Sequence, residues 1–166
     1  ENKIPVQWVY FSFEIDRVSK EFDFLTYFLN YDYGINLISL PEGQKVNDSD
    51  FIEISPEYLK GYILDDNNKA VKIDNDLKIK IKETYYKRIV PLFGKYTSKG
   101  EIVEKGLIDF HDKRDNPTGI FKTLLNIASD NGTIIKNECG SMTSYTQDNK
   151  DKMFIVILDH IRKVNP

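Results

Sequence analysis

From residue 5 to 15 the chain reads PVQWVYFSFEI, with Val6, Trp8 and Tyr10 alternating against Val9, Phe11, Phe13 and Ile15. β-Branched and aromatic residues on both sides of the alternation predict a central strand buried on both faces for much of its length. The period then changes. Val18, Phe22, Leu25 and Leu29 recur at helical spacing, so a helix is expected over 16–31, with Asp16 capping its first turn and Gly34 supplying the turn that ends it. INLISL (35–40) resumes as a strand before Pro41 and a polar loop.

The middle of the chain is less regular. FIEI (51–54) reads as a short strand. SPEYLKGY (55–62) reads as a short helix, with Ser55 as cap and Pro56 at the first helical position. In KAVKIDNDLKIKIKETYY, Leu77, Ile79 and Ile81 alternate with Lys78, Lys80 and Lys82, which predicts two strands about a turn at Asp74-Asn75-Asp76 and a lysine stripe on one open face. A helix through 77–92 competes, because Ile81, Tyr85 and Ile89 are spaced by four. The strand is preferred for 77–82 and 83–92 stays unassigned. Residues 100–110 read as a strand with Gly106 as a bulge.

Pro117 suits the first position of a helix, Asn116 or Asp115 can cap it, and Ile120, Leu124 and Ile127 with Phe121, Leu125 and Ala128 give a broad apolar stripe. A helix is therefore expected over 117–130, ended by Gly132. Strands over 133–139 and 152–164 close the chain, joined by a mobile, hairpin-like polar stretch at 140–151. Strands outnumber helices without regular alternation, so the expected fold is α+β: one domain, 1–166, with a mixed or mostly antiparallel sheet and two main helices packed on one face.

Composition narrows the class. Ten tyrosines and ten phenylalanines in 166 residues, 40% hydrophobic, exclude a disordered chain. The single cysteine, Cys139, excludes a disulfide scaffold. No apolar run approaches the roughly 18–20 residues that span a bilayer, so the sequence reads as that of a soluble protein. The chain opens on Glu1 rather than methionine, which keeps a trimmed secretory or lipoprotein leader open as an alternative to a cytoplasmic address.

The net charge of −3 argues against a nucleic-acid coat, but the charges are segregated. Between 42 and 66, Glu42, Asp48, Asp50, Glu53, Glu57, Asp65 and Asp66 face only Lys45 and Lys60. Between 77 and 99, Lys78, Lys80, Lys82, Lys87, Arg88, Lys95 and Lys99 face only Glu83.

The densest chemistry lies in IDFHDKRDNPTGIF (108–121). His111, Lys113 and Arg114 precede a helix start that could hold an anion. Asp109, Asp112 and Asp115 cancel those cations, however, and no glycine-rich cradle accompanies them, so a charged capping loop is the preferred reading. His111 and the other histidine, His160, form a candidate acid–base pair, with Lys113 or Arg114 stabilising an oxyanion. Cys139 in NECGSM reads as a strand-end thiol, and Asp65, Asp66, Asp74 and Asp76 as turn residues rather than cation ligands. No phosphate loop, nucleophile elbow, paired Cys-x-x-Cys or His-Glu-x-x-His occurs, and neither metal nor cofactor is expected.

Many tyrosines (Tyr27, Tyr31, Tyr33, Tyr58, Tyr62, Tyr85, Tyr86, Tyr96 and Tyr145) fall near element ends or in loops, where an amphipathic ring can meet a partner. The sequence therefore leans toward a non-catalytic binding protein of immunity or inhibitor type, acting through a charged, tyrosine-rimmed surface. Asp48, Asp50, Glu53, Asp65 and Asp66 would face a basic protein, or Lys78, Lys80, Lys82 and Arg88 an acidic one. A metal-independent hydrolase or nuclease using His111 and His160 is the second reading, and an extracytoplasmic accessory or lipoprotein domain the third.

Overall fold

The computed structural model describes residues 5–39, 51–55, 59–65, 67, 69–97, 99–112 and 117–159. Its helices and sheets make an α+β fold. The described residues gather into two compact units: one from the two chain ends, 1–14 and 110–166, and one from 15–109.

In the first unit, β1 (Val6–Ser12) runs parallel to β11 (Met153–Asp159), in register from Val6 against Met153 to Ser12 against Asp159. β8 (Ile108–His111), whose last two residues belong to this unit, lies on the other edge of β1. The expected helix is present as α4 (Pro117–Asp130). Ile120, Leu124 and Ile127, at i, i+4 and i+7, fall on one side of it and pack on Val9, Phe11 and Phe13. Burying side chains of this size contributes roughly 1.5–3 kcal/mol each.

The polar stretch at 140–151 is not merely a connection. It contains β10 (Met142–Gln147), paired antiparallel with β9 (Gly132–Lys136). Asn137 closes the turn, its side chain accepting from Ser141 N at 2.8 Å. β10 carries threonine, tyrosine and serine and is mostly exposed, so it offers strand propensity without the apolar alternation by which strands are usually recognised.

In the second unit, α1 (Arg17–Tyr33) begins where Asp16 accepts from Ser19 N at 2.9 Å. It ends at Gly34, whose φ of +66° lets its N–H reach Asn30 O and Leu29 O. β4 (Leu59–Leu64) is flanked antiparallel by β2 (Leu37–Ser39) on one edge, with β3 (Phe51–Ser55) and β5 (Ala70–Val71) end to end on the other. This corrects the helix expected at 55–62: from Leu59 onward the segment is strand, and 56–58 lie outside the described residues. Leu59, Gly61 and Ile63 are buried with period two, and the pairing available on both edges outweighs the local Ser-Pro start signal.

The hairpin expected around Asp74-Asn75-Asp76 is also overturned. Asp74 caps a helix, accepting from Leu77 N at 2.8 Å. That helix runs as α2 (Asn75–Thr84), a π-helical turn (Tyr85–Ile89) and α3 (Val90–Phe93), so the fold has a third long helix beside the two expected. Ile81, Tyr85 and Ile89 are buried, whereas Ile79, which a strand would place beside Ile81, is exposed. The spacing of four decides the element. The lysine alternation does not, since a lysine is solvated in either conformation. Asp74→Ala is expected to lower stability by about 1 kcal/mol in urea unfolding, the usual cost of a lost cap. An unchanged midpoint would contradict the cap.

The expected strand at 100–110 divides at Gly106 and Leu107. β7 (Ile102–Lys105) pairs antiparallel with β6 (Gly94–Tyr96), and β8 follows. α1 packs against α2, the π-helical turn and β2, while α4 packs on β1, so the two helices read from the sequence cover different sheets rather than one face. Among the described residues no helix is long and apolar enough to cross a membrane.

Candidate protein-interaction surface

The buried stripe of α1 is Glu21, Phe22, Leu25 and Leu29. Beside it, Phe24, Tyr27 and Tyr31 stand at i, i+3 and i+7 and therefore share a second face. That face is open: Tyr27 is 63% and Tyr31 78% exposed. Their rings stack with centroids 6.1 Å apart and 14° between planes, and Phe28 meets Tyr27 edge-on at 5.7 Å. Phe24 is anchored from below, edge-on to the buried Phe93 at 5.4 Å.

The π-helical turn supplies the cations. Arg88 places its guanidinium 5.6 Å from the Phe28 ring centroid and 3.8 Å from Asp32 Oδ2. Lys80 in α2 stands 5.7 Å from the Tyr33 ring. Lys87 bonds Glu83 at 2.8 Å, and that hydrogen bond and charge hold its ammonium above the ordinary lysine pKa. Tyr86, half exposed, meets the buried Tyr85 edge-on at 5.3 Å. Aromatic rings thus lie next to guanidinium and ammonium groups on a helical support, a combination suited to contacts with another protein. Exposed ion pairs such as Lys87–Glu83 add little to stability and leave these cations able to exchange partners.

The residues singled out from sequence distribute unevenly. Arg88 joins this surface through Phe28, and Lys80 stands over Tyr33 at the end of α1. Lys78 and Lys82 do not share Lys80's row, because two helical residues rotate it by about 200° relative to each of them, so the expected stripe is split. Glu53 pairs across strands with Lys60 at 2.8 Å, and Asp65 accepts from Asn67 N and Lys69 N, so both acids are engaged within their own sheet or turn. Asp48, Asp50 and Asp66 lie outside the described residues.

So do Lys113, Arg114 and His160. His111, partly buried at the end of β8, stacks on Phe11 at 5.0 Å. Nearby, Tyr10 stacks on Phe110 at 5.1 Å and donates to Asp159 Oδ2 at 2.8 Å. Burial, and then Asp159, push the Tyr10 hydroxyl up to about 12, so it serves as a donor rather than a base.

Sequence reading missed Glu21. It is fully buried on the apolar side of α1, with Oε1 paired to Arg17, one turn back, and with no hydrogen-bond partner for Oε2 among the described residues. The Arg17 guanidinium lies 3.5 Å from the centre of the Tyr96 ring. Burial raises the Glu21 carboxyl to about 7 despite Arg17. The signal was present as an Arg–Glu pair at i, i+4 within the apolar stripe.

Cys139 is exposed in the β9–β10 turn. Among the described residues no three His, Cys, Asp or Glu side chains come together as a metal site. Comparison with known proteins finds no match, whether to a family model, a curated protein or a solved structure.

Proposed function

We propose that the chain is a non-catalytic binding protein of immunity or inhibitor type, which occupies a protein partner through the tyrosine-rimmed face of α1 and the π-helical turn. The observation that carries this reading is the row of Phe24, Tyr27 and Tyr31 exposed on one helix face, with Arg88 beside it over Phe28. Tyrosine and arginine, with tryptophan, are enriched among the few residues that dominate binding energy at protein interfaces. A ring that can turn about only two side-chain angles loses little entropy when covered. The acidic alternative is weakened because Asp65 is held by the Asn67 and Lys69 N–H groups of its own turn.

The test is capture of the partner from the native source by the wild-type chain and by Tyr27→Ala/Tyr31→Ala. Losing two central aromatic anchors is expected to weaken capture at least about 30-fold, the equivalent of about 2 kcal/mol. Charge reversal at Asp48, Asp50 and Glu53 is expected to leave capture unchanged. Capture that survives the tyrosine pair and fails on the acidic reversal would overturn the assignment of the face.

A further inference from the structure

Resting on that reading of the face, we infer that the partner presents an acidic surface, with carboxylates flanked by apolar side chains, to the cations of α2 and the π-helical turn. The helix from Asn75 to Phe93 carries Lys78, Lys80, Lys82, Lys87 and Arg88 against only Asp76 and Glu83, in a chain whose total is −3. Two of these cations reach toward the C-terminal half of α1. Lys80 lies over Tyr33, and Arg88 lies over Phe28, whose ring meets Tyr27 edge-on. Phe28 joins the exposed Tyr27 to the positive charge of this helix, and charge complementarity selects a partner with carboxylates spaced among groups that can cover rings.

A nucleic acid fits this surface less well. Asp32 lies 3.8 Å from Arg88, and Glu83 is hydrogen-bonded to Lys87. These carboxylates would stand against a phosphate backbone, whose binding depends on uninterrupted neutralisation by cations. An acidic protein surface carries its own lysines and amides, and two carboxylates among the cations can meet those.

The test uses the full chain and three labelled probes of similar length: a random glutamate–tyrosine copolymer, poly-L-glutamate and oligo-deoxythymidine. Binding is read by fluorescence anisotropy at low and moderate salt. The copolymer is expected to bind most tightly, to weaken as salt rises, and to lose at least tenfold in affinity to Lys80→Glu/Lys87→Glu/Arg88→Glu. Lys122→Glu/Lys136→Glu/Lys150→Glu, equal in charge change but placed on exposed positions of the other unit, is expected to bind like wild type. The neutral Lys80→Gln/Lys87→Gln/Arg88→Gln variant, checked by its unfolding transition, should give an intermediate loss. The inference is overturned if oligo-deoxythymidine binds as tightly as the copolymer, if neither acidic polymer binds, or if both charge-reversal sets behave alike. Partner capture lost with Tyr27→Ala/Tyr31→Ala but kept with the Lys80/Lys87/Arg88 reversal would sink the acidic partner alone and leave the protein-binding reading in place.

Discussion

Replacing Gly94 with alanine is expected to lower stability by about 3–5 kcal/mol, and Gly106→Ala by about 1–3 kcal/mol or more. These two glycines sit back to back where α3 ends and β6 begins, at the open end of the β6–β7 hairpin. A Cβ built on Gly106 would fall well inside contact distance of Gly94 N, Leu92 O and Phe93 C, and one built on Gly94 would overlap Glu104 O and lie 2.8 Å from Gly106 N. Every obstructing atom is backbone, so no rotamer change relieves the overlap. The strands would have to part, disturbing the pairing of Gly94 with Lys105 and the Leu107 N to Pro91 O bond at 2.9 Å. Phe93, 1% exposed, would move with them. Gly94 costs more because its φ of +86° with ψ near −175° is a conformation essentially reserved for glycine. Gly100→Ala is the control. Its φ is +79° but nothing lies within 4 Å, so strain alone, about 1–2 kcal/mol, is expected. Urea unfolding of the three variants checks the order Gly94, Gly106, Gly100. Equal losses at all three would mean that the backbones do not approach as described.

The same pair shows where the sequence was informative and where it was not. Gly106 stood out as a break in a strand pattern, yet its partner Gly94 lies twelve residues earlier, and only the folded hairpin reveals why both must lack a side chain. α1 and α4 were legible because each combines a cap or first-turn proline with an apolar stripe of period 3.6. The helix from Asn75 was misread because Leu77, Ile79 and Ile81 satisfy a period of two while Ile81, Tyr85 and Ile89 satisfy a spacing of four. A short run with both periods is decided by what it can be buried against. The candidate surface was half legible. Its tyrosines were flagged from their positions near element ends and Arg88 from the basic segment. The stacking of Tyr27 on Tyr31, and the π-helical turn that brings Arg88 to Phe28, depend on how two helices pack. Glu21 was overlooked because a glutamate in a helix is ordinarily solvated, and an apolar stripe is scanned for its apolar members.

Glu21 gives the second large effect, a pH dependence opposite in sign to that of an ordinary carboxylate. Its folded-state pKa is raised from 4.5 to about 7, chiefly by burial. Between those values the folded chain holds a proton that the unfolded chain has released, so stability falls as pH rises, by up to about 1.4 kcal/mol per unit and about 3 kcal/mol in all. Below 4.5 both states are protonated, and above about 7 both are ionised, so the contribution is flat at either end. Asp16 behaves in the usual way: burial opposes ionisation, but the hydrogen bonds from Ser19 outweigh it and lower its pKa, so its stabilisation is lost as pH falls toward and below 3.8. The two limbs are therefore separate. Glu21→Gln keeps an oxygen for Arg17 and carries no titrating proton. It is expected to match wild type near pH 5 and to exceed it by about 2–3 kcal/mol at pH 8, measured by urea unfolding across that range. Arg17→Leu removes the cation that opposes the burial effect, and should move the midpoint of the wild-type decline upward. Parallel profiles for wild type and Glu21→Gln would mean that this carboxyl reaches water, and with it the interior of α1 would have to be redrawn.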